Sequence, residues 1–173
     1  MIVIRQIEEQ VVPGRRLGRH VHHDPRSRLF AFQTQRAASY RSVRHTRHIP
    51  VLNQGDLGSC TGNACEGAIG TSGLFDALPP ALQPSGSDAG ADEAAAVNLY
   101  SAATQVDPLA GSYPPDDTGS DGLSVAKAAT AAGLISGYTH AFSLDAALQA
   151  LMQQPVIIGI DWYQGFEPCS PGR

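Results

Sequence analysis

The stretch that most constrains this chain runs from Pro50 to Ala68 and reads Pro-Val-Leu-Asn-Gln-Gly-Asp-Leu-Gly-Ser-Cys-Thr-Gly-Asn-Ala-Cys-Glu-Gly-Ala. Pro50 biases Ile49 away from helical backbone, and Val51-Leu52 suit an extended segment. A loop broken by Gly55 and Gly58 follows, and then come small residues that can only pack closely. Ala64, Gly67, Ala68 and Thr71 recur at three- and four-residue steps, which predicts a helix over 60–76 buried between other elements. Ser59 is the candidate N-cap, so Cys60 falls where loop becomes helix. The N-terminal end of a helix carries partial positive charge and unpaired N–H groups, which favour a thiolate and can hold an oxyanion. Cys60 is therefore the candidate nucleophile. Gln54, six residues earlier across the loop, is the candidate second oxyanion donor through its side-chain amide. Cys65 turns away from Cys60 around the helix and reads as a small buried hydrophobe. A redox pair would need Cys-x-x-Cys, which the chain lacks.

Charge is divided unevenly along the 173 residues. Residues 1–48 carry ten arginines against three acids, while 49–173 carry two basic side chains against thirteen acids. Two readings of this basic leader compete. It can lie across the acidic body as an intramolecular strap, or it can be a tail for nucleic acid or an anionic surface. Aromatic residues are sparse in it (Phe30, Phe32, Tyr40) and lysine is missing, so the strap is preferred and a nucleic-acid partner is not expected. His20, His22, His23, His45 and His48 also fall there, but their spacing matches no zinc arrangement. We read them as solvated or salt-bridged side chains, with no metal and no cofactor implied. No apolar run approaches the roughly 18 residues a transmembrane helix needs. Met1 to Glu9 is too short and too soon charged for a secretory signal, so a cytoplasmic setting is expected. Three cysteines (Cys60, Cys65, Cys169) form no disulfide framework and fit a reducing compartment.

The coarse order of elements can be read from breakers and caps. Leu29-Phe30-Ala31-Phe32 is a candidate short strand, and 77–90 is a surface loop. A helix is expected from Asp92 to Val106, entered with Asp88 or Asp92 near its start. A Pro/Gly/Asp-rich loop from Gly111 to Gly119 leads to Ser120 or Asp121 as the cap of a helix over 123–132, stopped by Gly133. Strands are then expected at Gly137–Phe142 and at Val156–Trp162, with a short helix from Ser143 to Gln154 between them.

Gln54, five residues and then Cys60, with Gly58-Ser59-Cys60 as the core, resemble the signature of the papain-like cysteine peptidase family. Leu57 stands where many members have a cysteine, and Thr61 replaces the usual aromatic residue. The order of the segments over 49–173 is also similar to that family. The resemblance implies an α+β fold in three parts: a basic leader or strap over 1–48, a helical lobe over 49–135 carrying the nucleophile, and the start of a truncated β-barrel lobe over 136–173. It implies peptide-bond hydrolysis through a Cys60 thioester, with a peptide or protein as substrate and partner. It also makes Gly122 a candidate for docking substrate backbone, although a plain turn glycine accounts for it as well.

A cysteine peptidase needs a base to take the thiol proton and return it to the leaving amine. The family places that histidine and its asparagine roughly 130–150 residues after the cysteine, past Arg173 here. His140 is the sole histidine after Cys60 and precedes the last expected strand. The chain is thus expected to be a fragment with little activity of its own. The alternatives are a non-catalytic peptide- or protein-binding module with the same cleft, and an unrelated structural or nucleic-acid-associated protein using the basic leader. No Gly-x-Ser-x-Gly elbow and no phosphate loop supports a serine hydrolase or a nucleotide enzyme.

Overall fold

The structure is a computed structural model that describes residues 18–36 and 39–160. Four α-helices organise them: α1 (Cys60–Ile69), α2 (Ala89–Thr104), α3 (Gly122–Ala131) and α4 (Leu144–Leu151). Three of the starts follow from one polar side chain each. Asp88 accepts from the Gly90 and Ala91 N–H groups, Asp121 from Ser124, and Ser143 from Ala146. Each satisfies donors that the first helical turn leaves unpaired. The end of α3 is equally local: Gly133 takes φ +72, and the Gly133 and Leu134 N–H groups bond back to Thr130 and Ala129. That pair of bonds is the Schellman turn, which needs a residue tolerant of positive φ.

Helices α1, α2 and α3 pack on one another around Cys65, Ile69, Leu99, Ala103, Val125, Ala128 and Ala129, with Leu78 closing one side. Small residues bring α1 and α2 unusually close. A Cβ on Gly62 would run into the Ala96 carbonyl and come within 2.9 Å of the Tyr100 Cβ. Tyr100 is fully buried at that crossing. Its hydroxyl donates to Asp117 at 2.6 Å and accepts from the Gly119 N–H at 3.0 Å.

The expected α+β class, with an incomplete β-barrel lobe, is overturned. Among the described residues there is no strand, sheet or barrel, and the architecture is mostly helical. Only three isolated bridges occur there: Arg19 with Ser120 and Ala31 with His140 in parallel, and Arg47 with Thr71 antiparallel. The candidate strand at 29–32 is instead the end of a 3-10 helix, Pro25–Phe30, started by Asp24 accepting from the Arg26 N–H with Pro at its first position. The expected strand at Gly137–Phe142 contributes one bridging residue. Of the last expected strand, residues 156–160 have no regular structure and 161–162 lie outside the described residues. The physical reason is the lack of a neighbour. β-branched side chains favour a strand only when a ladder and a packed face reward them. Ile157, Ile158 and Ile160 here stay 46%, 70% and 51% exposed. No helix among the described residues is long and apolar enough to cross a membrane.

The described residues 18–36 and 39–48 run over this body, with the 3-10 helix as their regular element. Phe32 donates its N–H to His140 and Phe30 accepts from it; the Gln35 backbone exchanges two bonds with the Gln149 amide; and Tyr40 bonds Asp145. His45 reaches the Leu151 carbonyl, and the segment returns to the end of α1 through His48 N–H to Gly70 and Ser72 N–H to Thr46.

One buried acid sits in the helical core. Glu66 on α1 is only 3% exposed, and burial together with the nearby Asp92 carboxylate raises its pKa from 4.5 to about 7. In the unfolded chain this carboxyl releases its proton near 4.5, so between there and about 7 the folded state binds the extra proton. Stability therefore falls as pH rises through that window, by up to about 3 kcal/mol once Glu66 is ionised in both states. Thermal melts should show Tm dropping between about pH 5 and pH 8, and Glu66→Gln should flatten the drop. An unchanged slope in that variant would remove Glu66 as its cause.

Candidate active site

Cys60 is the first residue of α1 and is partly exposed. Ser59 before it is fully buried but does not cap: its hydroxyl donates to the Asn63 side chain at 2.7 Å. Asn63 donates to Glu93 on α2, and Glu93 accepts from the Asn53 N–H at 2.8 Å. This chain of polar groups fixes the loop ahead of Cys60 against both helices. A second tether reaches its other end, where the Gly58 N–H donates to both oxygens of Asp117 at 3.1 Å. Burial and the Asp117 carboxylate push the Tyr100 phenol up to about 12, so Tyr100 remains a donor to that carboxylate.

The leader crosses directly over this point. The Ser120 N–H donates to the Gly18 carbonyl and the His20 N–H to the Ser120 carbonyl, both at 2.8 Å. Gly18 is buried, and a Cβ on it would overlap the Gly58 carbonyl. A Cβ on Gly119 would in turn overlap the Gly18 carbonyl. Beyond the crossing, His20 bonds the Thr118 carbonyl at 2.7 Å and His22 the Asp121 carboxylate at 3.2 Å.

The backbone N–H groups of Gly18 and Thr61 lie close enough to the Cys60 thiol to favour its thiolate. Burial nevertheless pushes the thiol above its ordinary 9.0, and the N–H groups of Gly18, Thr61 and Cys60, with the Arg19 charge, oppose the rise without cancelling it. The expected drop from a helix N-terminus is absent because that effect is small and the sulfur is under a covering segment. The Thr61 hydroxyl is buried with no hydrogen-bond partner among the described residues.

Gln54 is half-buried, and its amide NH2 donates to the Leu57 carbonyl at 2.7 Å. One of its donors is thus turned into its own loop. Gly122 opens α3, is exposed, and has open space where a Cβ would stand. The residue that pairs with extended backbone is Ser120, two positions earlier. Gly18, Gly58, Asp117, Gly119 and Ser120 build this crossing, and the motif reading named none of them as functional. Gly58 was within the quoted signature, but its meeting with Gly18 and Gly119 spans distant segments. The histidines go elsewhere: His45 to Leu151, His48 to Ser72 with its ring stacked on Phe75, and His140 Nε2 is buried without a hydrogen-bond partner among the described residues. Among the described residues no group of three or more His, Cys, Asp or Glu side chains is placed to hold a metal ion.

No family model matches the chain, and neither a curated protein nor a solved structure does.

The two described thiols should separate by pH. Burial and the neighbouring Glu66 push Cys65 up to about 12, higher than Cys60. Iodoacetamide labelling read by peptide mass should therefore still be climbing at Cys60 at pH 9.0, with Cys65 reacting only in stronger base. A Cys60 rate that plateaus well below pH 9.0 would contradict the covered sulfur.

Proposed function

We propose that Cys60 is the nucleophile of a papain-like cysteine-type peptidase, held in a latent state in this chain. The observation that carries this reading is the setting of the sulfur: first residue of a helix, partly exposed, with the backbone N–H groups of Gly18, Thr61 and Cys60 acting on it and an extended peptide segment laid beside it. In the reaction the thiolate would attack a peptide carbonyl, the C–N bond would break, and the acyl group would remain on sulfur as a thioester until water released it. The backbone N–H groups at the head of α1 would hold the oxyanion, and Gln54 would join them through the amide N–H that does not bond the Leu57 carbonyl. Cys60 and Cys65 are free thiols, which supports a cytoplasmic setting within this reading.

Among the described residues no histidine acts on the Cys60 thiol. All six histidines of the sequence lie between residues 20 and 140. The charge acting on the sulfur among the described residues is that of Arg19, which cannot accept its proton. Losing a general base costs about 10²–10⁴-fold, so the chain alone should cleave dipeptide amides barely above background. One observation favours a second reading, a non-catalytic peptide-binding module. One of the two Gln54 amide donors is already bonded within its own loop, which suits a cleft that binds peptide without holding an oxyanion.

An activated ester separates the two, because p-nitrophenolate leaves without needing a proton. A p-nitrophenyl ester of an acylated glycine should release at most one equivalent of p-nitrophenolate in a slow burst and leave one acyl group on Cys60. Cys60→Ala should abolish both. Acyl transfer to other residues, or a burst that survives Cys60→Ala, would sink the nucleophile assignment and leave the binding module.

A further inference from the structure

The crossing of the leader over α1 has the features of an occupied peptide-backbone site. Its floor is Gly58, tethered by Asp117, and one wall is Gly119. Ser120 supplies the edge, offering an N–H and a carbonyl that take backbone bonds from residues flanking Arg19, the pattern of a parallel bridge. Such an edge recognises main chain rather than side chains. The fit at the centre is nevertheless selective, because residue 18 has no room for even a methyl group against the Gly58 carbonyl. The segment occupying the site also lies beside the sulfur and partly covers it, its Gly18 N–H being near enough to act on the Cys60 thiol. His20 on Thr118 and His22 on Asp121 fasten it just beyond.

We propose that this groove is a glycine-selective site for extended peptide backbone, filled in this chain by its own residues 18–20, and that the Cys60 thiol becomes fully accessible only when that strap lifts. The ligand class is a peptide presenting glycine where it crosses Gly58. Any peptide entering in trans must displace the strap first, and one with a side chain at that position is refused by the same overlap. The proposal rests on Cys60 as the reacting thiol of the reading above, which it supplies with a latch and a specificity.

The test is the rate of iodoacetamide labelling at Cys60, with Cys65 as the internal control for the fold. Gly18→Ala should raise the Cys60 rate by about tenfold or more, since overpacking of this kind shifts an opening equilibrium by that order, and should leave Cys65 unchanged. Acetyl-Gly-Arg-His-Val-His-amide, the sequence of residues 18–22, should slow the variant's Cys60 labelling again, and the same peptide with alanine first should not. An unchanged Cys60 rate in Gly18→Ala, or equal protection by the two peptides, would overturn the proposal. Should Gly18→Ala speed both thiols together, His22→Ala decides, because it releases the fastening at Asp121 without touching the crossing. Faster Cys60 alone in that variant upholds the latch, and a wild-type rate refutes it. Labelling reads access and not hydrolysis, so a thiol that is uncovered but never acylated by the activated ester would retire the peptidase and keep the latch.

Discussion

Three glycines from distant parts of the chain, Gly18, Gly58 and Gly119, meet at a separation that no side chain permits. This contact decides how the leader, the loop before α1 and the loop before α3 sit relative to one another. It is sustained from beneath by Asp117, whose carboxylate gathers the Gly58 N–H and the buried Tyr100 hydroxyl. A carboxylate accepting several hydrogen bonds holds its partners more firmly than a neutral acceptor would. Tyr100 in turn is fixed because Gly62 lets α1 lie directly against α2. Close helix packing, a buried phenol, one carboxylate and a backbone crossing thus form a continuous support from the core to the Cys60 sulfur.

Much of the helical part was legible in the sequence because its signals are local. Asp88, Asp121 and Ser143 cap as their positions suggest, and Gly133 ends α3 by the conformation only glycine adopts easily. The helix expected over 60–76 stops at Ile69, because Gly70 and Thr71 turn back to pair with the returning leader at His48 and Arg47. The expected strands were not realised for a non-local reason. Val156 to Ile160 has the composition of a strand, yet pairing depends on a neighbour that no local pattern specifies, and these isoleucines remain 46–70% exposed. The site was legible as an address and not as a state. Cys60 does stand at the head of a helix, but the segment that covers it comes from forty residues upstream.

That covering changes the chemistry expected of a helix N-terminus. Directed N–H groups and the Arg19 charge favour the thiolate, while burial favours the neutral thiol and prevails. Removing the strap would expose the sulfur to water and leave part of the favourable field, so the same geometry accounts for a quiet thiol now and a more acidic one once uncovered. Gln54 fits the same pattern, since one of its two amide donors is bonded to the Leu57 carbonyl inside the loop.

The central claim is that residues 18–20 are bonded into the groove beside Cys60 as firmly as an element of the fold. Amide hydrogen exchange followed by NMR at Ser120 and His20, the two donors of the bridge, reads this without any substitution. The account predicts that both amides are protected together, to a similar degree, and lose protection in one step as denaturant is raised. Exchange of either amide at the rate of an unstructured peptide would contradict it.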